Sequence, residues 1–479
     1  RSHRECLSWV SRGGSGEKAA PASLTVSCMT YEASAVSDAV GSDRDDALRT
    51  RMMRYTVAAM FFVGFAGKGV RGIFGDIGSL VPTLILLVAF VVLFRSSGRS
   101  LLLRRFPTTT CLFVVWCALS CAWSVSPVVS AEYVVLSVAL TLVSIAVAVA
   151  LPLTELVDAL TLAFRWIIGS SFVLEALVAF FGHGPLAPPI MWGRGPLPAS
   201  YYWVDGLLLQ GGPIQGFPGN RNPLAFVALL LAVCLFLRHM QTRSARLSTV
   251  LWLAACGVVM LLTQSATVAL STVGCLVVIG GLVVQRRVPV HLRLRVVGMF
   301  AGVGVLTAIG AFFCRHMIAD AFGRSPDMSG RSVIWHAVAQ LIAQRPIGGW
   351  GWFIGWPTDM EPFASLVIRP DGTPTNQAHN AYVEAALTTG FVGAAMITVA
   401  IVWTLYRVVK VAVAHIDDNL WDVIPAVIII AMFIQSFTES RLLFEGNWML
   451  FVIIATWVKV RGEVPVVWPS AARQHLEYS

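Results

Sequence analysis

Charge is what this chain has least of. Only 13% of its 479 residues are Asp, Glu, Lys or Arg, about half the share of an ordinary soluble domain. With 56% hydrophobic residues and a mean hydropathy of +0.73, that shortage excludes a typical water-soluble fold and points to an all-α, polytopic membrane protein. Paired-cysteine motifs are missing too. Of nine cysteines, Cys111, Cys117, Cys121, Cys234, Cys256 and Cys275 lie inside apolar runs, Cys6 and Cys28 near the N-terminus, and Cys314 alone at the end of a run. With no CxxC they read as small buried hydrophobes, not as a redox or metal set. There is no Walker A loop, no HExxH, no GxSxG and no His/Cys set at metal spacing, so the motif-borne chemistries of nucleotide, zinc and serine hydrolases are not expected. No cofactor is implied.

The first residues show no charged n-region, apolar h-region and cleavage site, so they are not read as a secretory signal. Residues 1–51, rich in Ser, Gly, Ala and charge, are expected to be a disordered cytoplasmic tail, or an extension ahead of a start at Met29, Met52 or Met53. The formal charge of +9 does not call for a nucleic-acid partner, because most basic residues sit in short breaks between apolar runs, where they set topology.

What is present is hydrophobic helix. Apolar runs at roughly 55–75, 77–95, 107–124, 131–151, 165–182, 222–238, 248–265, 267–285, 295–314, 380–406, 422–438 and 446–459 each approach the ~20 residues that cross a bilayer. Lys68 and Arg71 interrupt the first. Sixteen Trp and 26 Phe suit a chain with aromatic residues at both interfaces. If about twelve runs span, alternate loops collect Arg95, Arg99, Arg104 and Arg105, then Arg238, Arg243 and Arg246. Next come Arg286, Arg287, Arg293 and Arg295, then Arg407 and Lys410, then Lys459 and Arg461. That side is expected to be cytoplasmic and to hold both termini, with a transmembrane domain over 52–464 and a short tail at 465–479. A separate interfacial helix at 152–164 would keep Arg165 out of the core.

The opposite face then receives 183–221, 439–445 and a large loop, 315–379, between the ninth and tenth spans. Arg315, Arg324, Arg331, Arg345 and Arg369 fall in that loop. Arginines on the face that the positive-inside rule disfavours need another reason, and a multiply anionic ligand supplies one. Snorkelling to lipid headgroups is the plain alternative. Apolar residues at 3–4 spacing from Val333 to Ile342 predict a helix over 331–344, with Arg331 in its first turn, where a cation opposes the helix dipole.

Several polar stretches punctuate the outer face. Gly219-Asn220-Arg221-Asn222-Pro223 opens a span as a capped helix start, a ready place for a phosphate or carbonyl beside Arg221. Thr263-Gln264-Ser265-Ala266-Thr267 joins two spans with almost no loop; it serves as a tight turn unless Gln264 and Ser265 face a site. His379-Asn380 begins a span directly after the Arg-rich loop, with Glu384 five residues on. A neutral imidazole there can accept a proton from a hydroxyl near pH 7. Glu439 and Arg441 form a surface ion pair of little worth, unless Glu439 orients a neighbouring group.

In this order the motifs resemble the O-antigen ligase and polymerase family of bacterial envelope glycosyltransferases. The resemblance rests on Trp123-Ser124-Val125-Ser126-Pro127, GNRNPLAF at 219–226, TQSAT at 263–267, SGRSVIW at 329–335, RPIGGWGW at 345–352, HNAYVEAALTTGFVG at 379–393, and TES to FEGNW at 438–448. It covers about residues 105–460. It implies a multi-pass protein of the cytoplasmic (inner) membrane that moves a glycan from a polyprenyl-diphosphate-linked donor to a glycan or glycolipid acceptor at the outer face. Carried over, His379 is the base and Arg331 holds the diphosphate with some of Arg221, Arg345 and Arg369, while Asn220, Asn222, Asn380, Gln264 and Glu439 support the site. Two departures stand out. Pro213-Ile214-Gln215-Gly216 and Ala266-Thr267 occupy places where the family often has an arginine, and Arg221 could substitute at the first. The alternative is a transporter or flippase for a lipid-linked saccharide or an anionic solute. It is weakened by the absence of a visible internal repeat.

Overall fold

The computed structural model describes residues 45–182, 184–243, 246–313 and 330–461. Cys314, Arg315, Arg324, Ser329 and most of both tails lie outside them. The chain divides into two compact units, Arg1–Met53 and Arg54–Ser479, and the candidate site lies in the second. Among the described residues there is no β-strand, only the isolated bridges Leu186–Val204 and Ile368–Pro374. The helices are α1 (Asp45–Phe65), α2 (Gly67–Gly78), α3 (Leu80–Ser96), α4 (Thr108–Leu119), α5 (Pro127–Ala150), α6 (Leu153–Phe181), α7 (Arg221–Thr242), α8 (Leu247–Thr263), α9 (Ala266–Gln285), α10 (Val290–Phe313), α11 (Arg331–Gln344), α12 (Ala381–His415), α13 (Ile424–Ser436) and α14 (Glu445–Arg461).

Each expected apolar run after the first lies mainly on one helix, although the run at 77–95 starts in the last residues of α2 and the run at 380–406 is interrupted at Gly390. Five of these, α5, α6, α7, α9 and α12, are long and apolar enough to cross a membrane. A sixth crossing results if the bent pair α1–α2 is one span, while α3, α4, α8 and α13 are apolar but shorter. By length and composition, then, five or six of the expected dozen qualify. Helices α7 and α14 are apolar around their whole circumference and therefore sit inside the bundle. Residues Gly446 to Val458 of α14 are all buried.

Two expectations are corrected. The first run is not one span: the chain bends by 86° between α1 and α2, so Lys68 and Arg71 lie on the second arm. The run at 152–164 is not a separate interfacial helix either, because α6 is continuous for 29 residues. Arg165 thus sits mid-helix, its guanidinium 5.7 Å from the Trp252 ring.

The polar contacts sort the bundle into two ends. At one, Asp158 near the start of α6 pairs with Arg238, and Arg54 donates to Glu155 at 3.2 Å. Arg293 reaches Asp417 at 2.7 Å, and Arg461 reaches Asp422 at 2.5 Å. At the other, Glu175 late in α6 accepts from the amides of Gln215 and Gly216, both at 2.8 Å. The basic loop residues engage the first end, and the motif-bearing segments gather at the second.

There, α12 is broken. Gly390 has φ 70° and ψ −178° inside an otherwise helical run, a backbone region open essentially to glycine alone. The break frees the carbonyls of Leu387 and Thr388, which accept from the amides of Trp350 and Gly351 at 3.0 and 2.9 Å. The Phe391 amide donates to Pro346 O at 2.7 Å. The glycine-rich 345–352 segment thus docks on the broken helix and satisfies backbone groups that could not stay unpaired in an apolar setting. A Cβ on Gly390 would lie 2.0 Å from the Ile347 oxygen. Gly390→Ala should therefore cost about 3 kcal/mol or more of stability, read as a lower unfolding temperature in detergent; an unchanged temperature would refute this account of the break.

Candidate active site

The site is built at the start of α12. Asn380 caps it, its Oδ1 accepting from the amides of Tyr382 and Val383 at 2.9 and 3.1 Å, which satisfies two of the orphan donors of a helix N-terminus. Just before the cap, His379 has φ 51°. A non-glycine residue in the left-handed region is uncommon and persists only where surrounding contacts over-determine it.

His379 Nδ1 lies 3.4 Å from Glu439 Oε2. Glu439 is not half of a surface pair with Arg441; its side chain is only 4% exposed. Its other oxygen, Oε1, accepts from Asn222 Nδ2 at 2.6 Å and from Arg331 Nη2 at 3.2 Å. Asn222 Oδ1 accepts in turn from the Ser265 hydroxyl at 2.8 Å. One carboxylate therefore gathers side chains from five separated motifs: Asn222, Ser265, Arg331, His379 and its own. Burial alone would push the Glu439 carboxyl up. The hydrogen bond with His379, together with the guanidinium groups of Arg441 and Arg331, outweighs that and holds it below its ordinary value.

Helix α11, which coincides with the expected 331–344 helix, brings two groups to this point from one face. Arg331 meets Glu439, and one turn on, Trp335 Nε1 donates to Ala378 O at 2.8 Å, against the residue that precedes His379.

His379 also lines a cavity of about 1050 Å³. The same wall carries Lys68, Arg71, Arg194, Arg221, Arg369 and Arg441, against Asp76, Asp205 and Glu445. Arg71 is committed to Glu445 at 2.6 Å. Among the described residues, Lys68, Arg221, Arg369 and Arg441 form no ion pair with a carboxylate within 4.0 Å. Lys68 sits within range of the Arg441 and Arg369 charges and donates to Gly219 O at 3.1 Å. Cations crowded together with few counter-charges suit a ligand with more than one negative charge.

Arg221, Arg369, His379 and Asn220 line the cavity. Arg331, Asn222 and Glu439 join the cluster behind His379, and Asn380 caps the helix that carries it. Gln264 stands apart: it has φ 49° and donates to Gly211 O at 3.1 Å. Arg345 is also elsewhere, over the Trp350 ring at 4.3 Å and donating to Trp123 O at 3.1 Å. Sequence reasoning missed Lys68, Arg71 and Arg194 as cavity residues, and it gave Arg441 to a surface pair. Lys68 brings a cation to the Asn-rich helix start, where segment 213–216 has none. The signal was available in two cations inside an apolar run dense in glycine (Gly64, Gly67, Gly69, Gly72), which marks a break in the helix rather than a flaw in a span.

The sequence model of the family described as O-antigen ligase matches residues 249–398, from α8 into α12, a segment that contains Ser265, Arg331 and His379. No curated protein matches the chain. The apolar helices and this match make the protein an integral membrane protein, and nothing in either favours a transporter. The chain carries the domain of the O-antigen ligase family over residues 249–398.

Proposed function

We propose that the protein is a glycosyltransferase of the bacterial inner membrane that moves a glycan from a polyprenyl-diphosphate-linked donor to a hydroxyl of a glycan or glycolipid acceptor at the extracytoplasmic face. The observation that carries this reading is the placement of His379, held by a buried carboxylate at the edge of a cavity lined by several cations. With Nδ1–H donating to Glu439, the neutral imidazole presents Nε2 as the proton acceptor. The acceptor hydroxyl loses its proton to Nε2 as its oxygen attacks the anomeric carbon. The bond from that carbon to the diphosphate oxygen breaks, and the electron pair leaves with the polyprenyl diphosphate. Attack from the side opposite the leaving group inverts the anomeric centre.

Lys68, Arg221, Arg369 and Arg441 supply fixed positive charge for the departing diphosphate. Preorganised charge of this kind acts mainly in the transition state. Arg331 and Asn222 hold Glu439, and through it the imidazole. The deciding experiment reconstitutes the purified protein in liposomes with a lipid-linked saccharide and a set of acceptors. Formation of a new glycan linkage together with free polyprenyl diphosphate is expected. Movement of intact donor across the bilayer without product would overturn the proposal.

A further inference from the structure

Glu384 sits in the first turn of α12 and is fully buried, yet among the described residues no cation pairs with it. Instead, three donors converge on its carboxylate. Trp356 Nε1 donates to Oε1 at 2.6 Å, and Oε2 accepts from the Ala378 amide at 2.6 Å and from the Ser440 hydroxyl at 3.0 Å. Ser440 Oγ in turn accepts from the Asn380 amide at 3.2 Å. The amides on both sides of His379 therefore end on one carboxylate, one directly and one through a single hydroxyl.

We infer that Glu384 is a positioning residue for His379: its buried carboxylate clamps the two flanking amides and thereby fixes the left-handed turn that aims the imidazole into the cavity. A turn at φ 51° relaxes toward extended backbone unless its neighbours are held, and relaxation swings the side chain away. Trp356 anchors the clamp on its far side. It packs in the apolar cluster of Ile334, Val338, Leu341, Trp350, Phe353 and Phe363, so the turn is referred to the rigid underside of the loop rather than to its solvent face. Charge-assisted hydrogen bonds to a carboxylate suit this task, being shorter and stronger than neutral ones. The acid's place in the first turn is also favoured by the helix dipole.

The kinetic part of this inference rests on the glycosyl-transfer reading; the structural part does not, and the test separates them. Glu384→Gln sets an NH2 group against donors, and Ser440→Ala removes one hydroxyl and breaks only the Asn380 arm. In the liposome assay, Glu384→Gln should lower kcat about 100-fold, the loss expected from misplacing a reacting group by roughly 1 Å, while the donor KM stays near that of the wild type. Ser440→Ala should lower kcat by a smaller factor in the same direction, and it keeps the question open if Glu384→Gln does not fold. Independently of any substrate, the rate at which diethyl pyrocarbonate modifies His379, followed by mass spectrometry of the peptide, should change in both variants. Unchanged labelling and kcat in the folded variants would overturn the inference, as would a loss confined to KM. Should the wild type transfer no glycan at all, the functional reading fails, and the labelling alone decides the role of Glu384.

Discussion

Replacing His379 with alanine should lower glycan transfer by about 100- to 10,000-fold, the range that a positioned general base contributes, while the protein still inserts and folds. Two features make the effect large. Among the described residues, His379 is the one imidazole on the cavity wall, so no second described ring stands ready to take the proton. Its Nδ1 already faces Glu439 Oε2, 3.4 Å away, and a carboxylate there favours the tautomer that leaves Nε2 for the substrate. His379→Asn is the sharper form of the test. Asparagine is at ease in the left-handed region, so this variant keeps the turn and removes only the base. Product formation by either variant at the wild-type rate, with lipid-linked donor in the liposome assay, would remove His379 from the chemistry.

What the sequence made legible, and what it hid, follows from the range of the interactions concerned. Apolar runs are local, so most helices from residue 80 onward are legible in the sequence, though not the join that makes α6 continuous. The 331–344 helix was found because its apolar residues recur at 3–4 spacing. Capping is local as well, and Asn220 and Asn380 were recognisable from the residues that follow them. The convergence on Glu439 is not local. It brings Asn222, Arg331 and His379, which lie 217, 108 and 60 residues from Glu439 along the chain, to one carboxylate, and only the ordered motif set hinted at it. Lys68 and Arg71 were read as blemishes in a span because a helix break at Ala66 depends on what surrounds it. Arg345 looked like any other loop cation; a neighbouring tryptophan ring captures it, which no spacing rule foretells. Arg165, expected at a helix start, is mid-helix because α6 continues through the place where the charge suggested a boundary.

The second large effect separates two classes of arginine that look alike in the sequence. Arg331 has a side chain only 14% exposed and donates to Glu439 Oε1 at 3.2 Å, whereas Arg441, Arg369 and Lys68 face the cavity. Arg441→Gln and Lys68→Gln should each lower transfer by about 100- to 1000-fold, the usual cost of removing one preorganised donor, and should weaken binding of a non-hydrolysable lipid diphosphate. Arg331→Met should lower kcat to a similar extent and leave that binding intact, because the guanidinium acts on the carboxylate rather than on the ligand. Losing it also strips a buried anion of its permanent cation, a change that costs about 3 kcal/mol. Adding Glu439→Gln to Arg331→Met removes the orphaned charge, so the double variant should regain unfolding temperature without regaining activity. An Arg331→Met protein that loses affinity for the lipid diphosphate while keeping its kcat would assign Arg331 to the ligand instead, and would move the seat of negative charge from the cavity wall to the far side of Glu439.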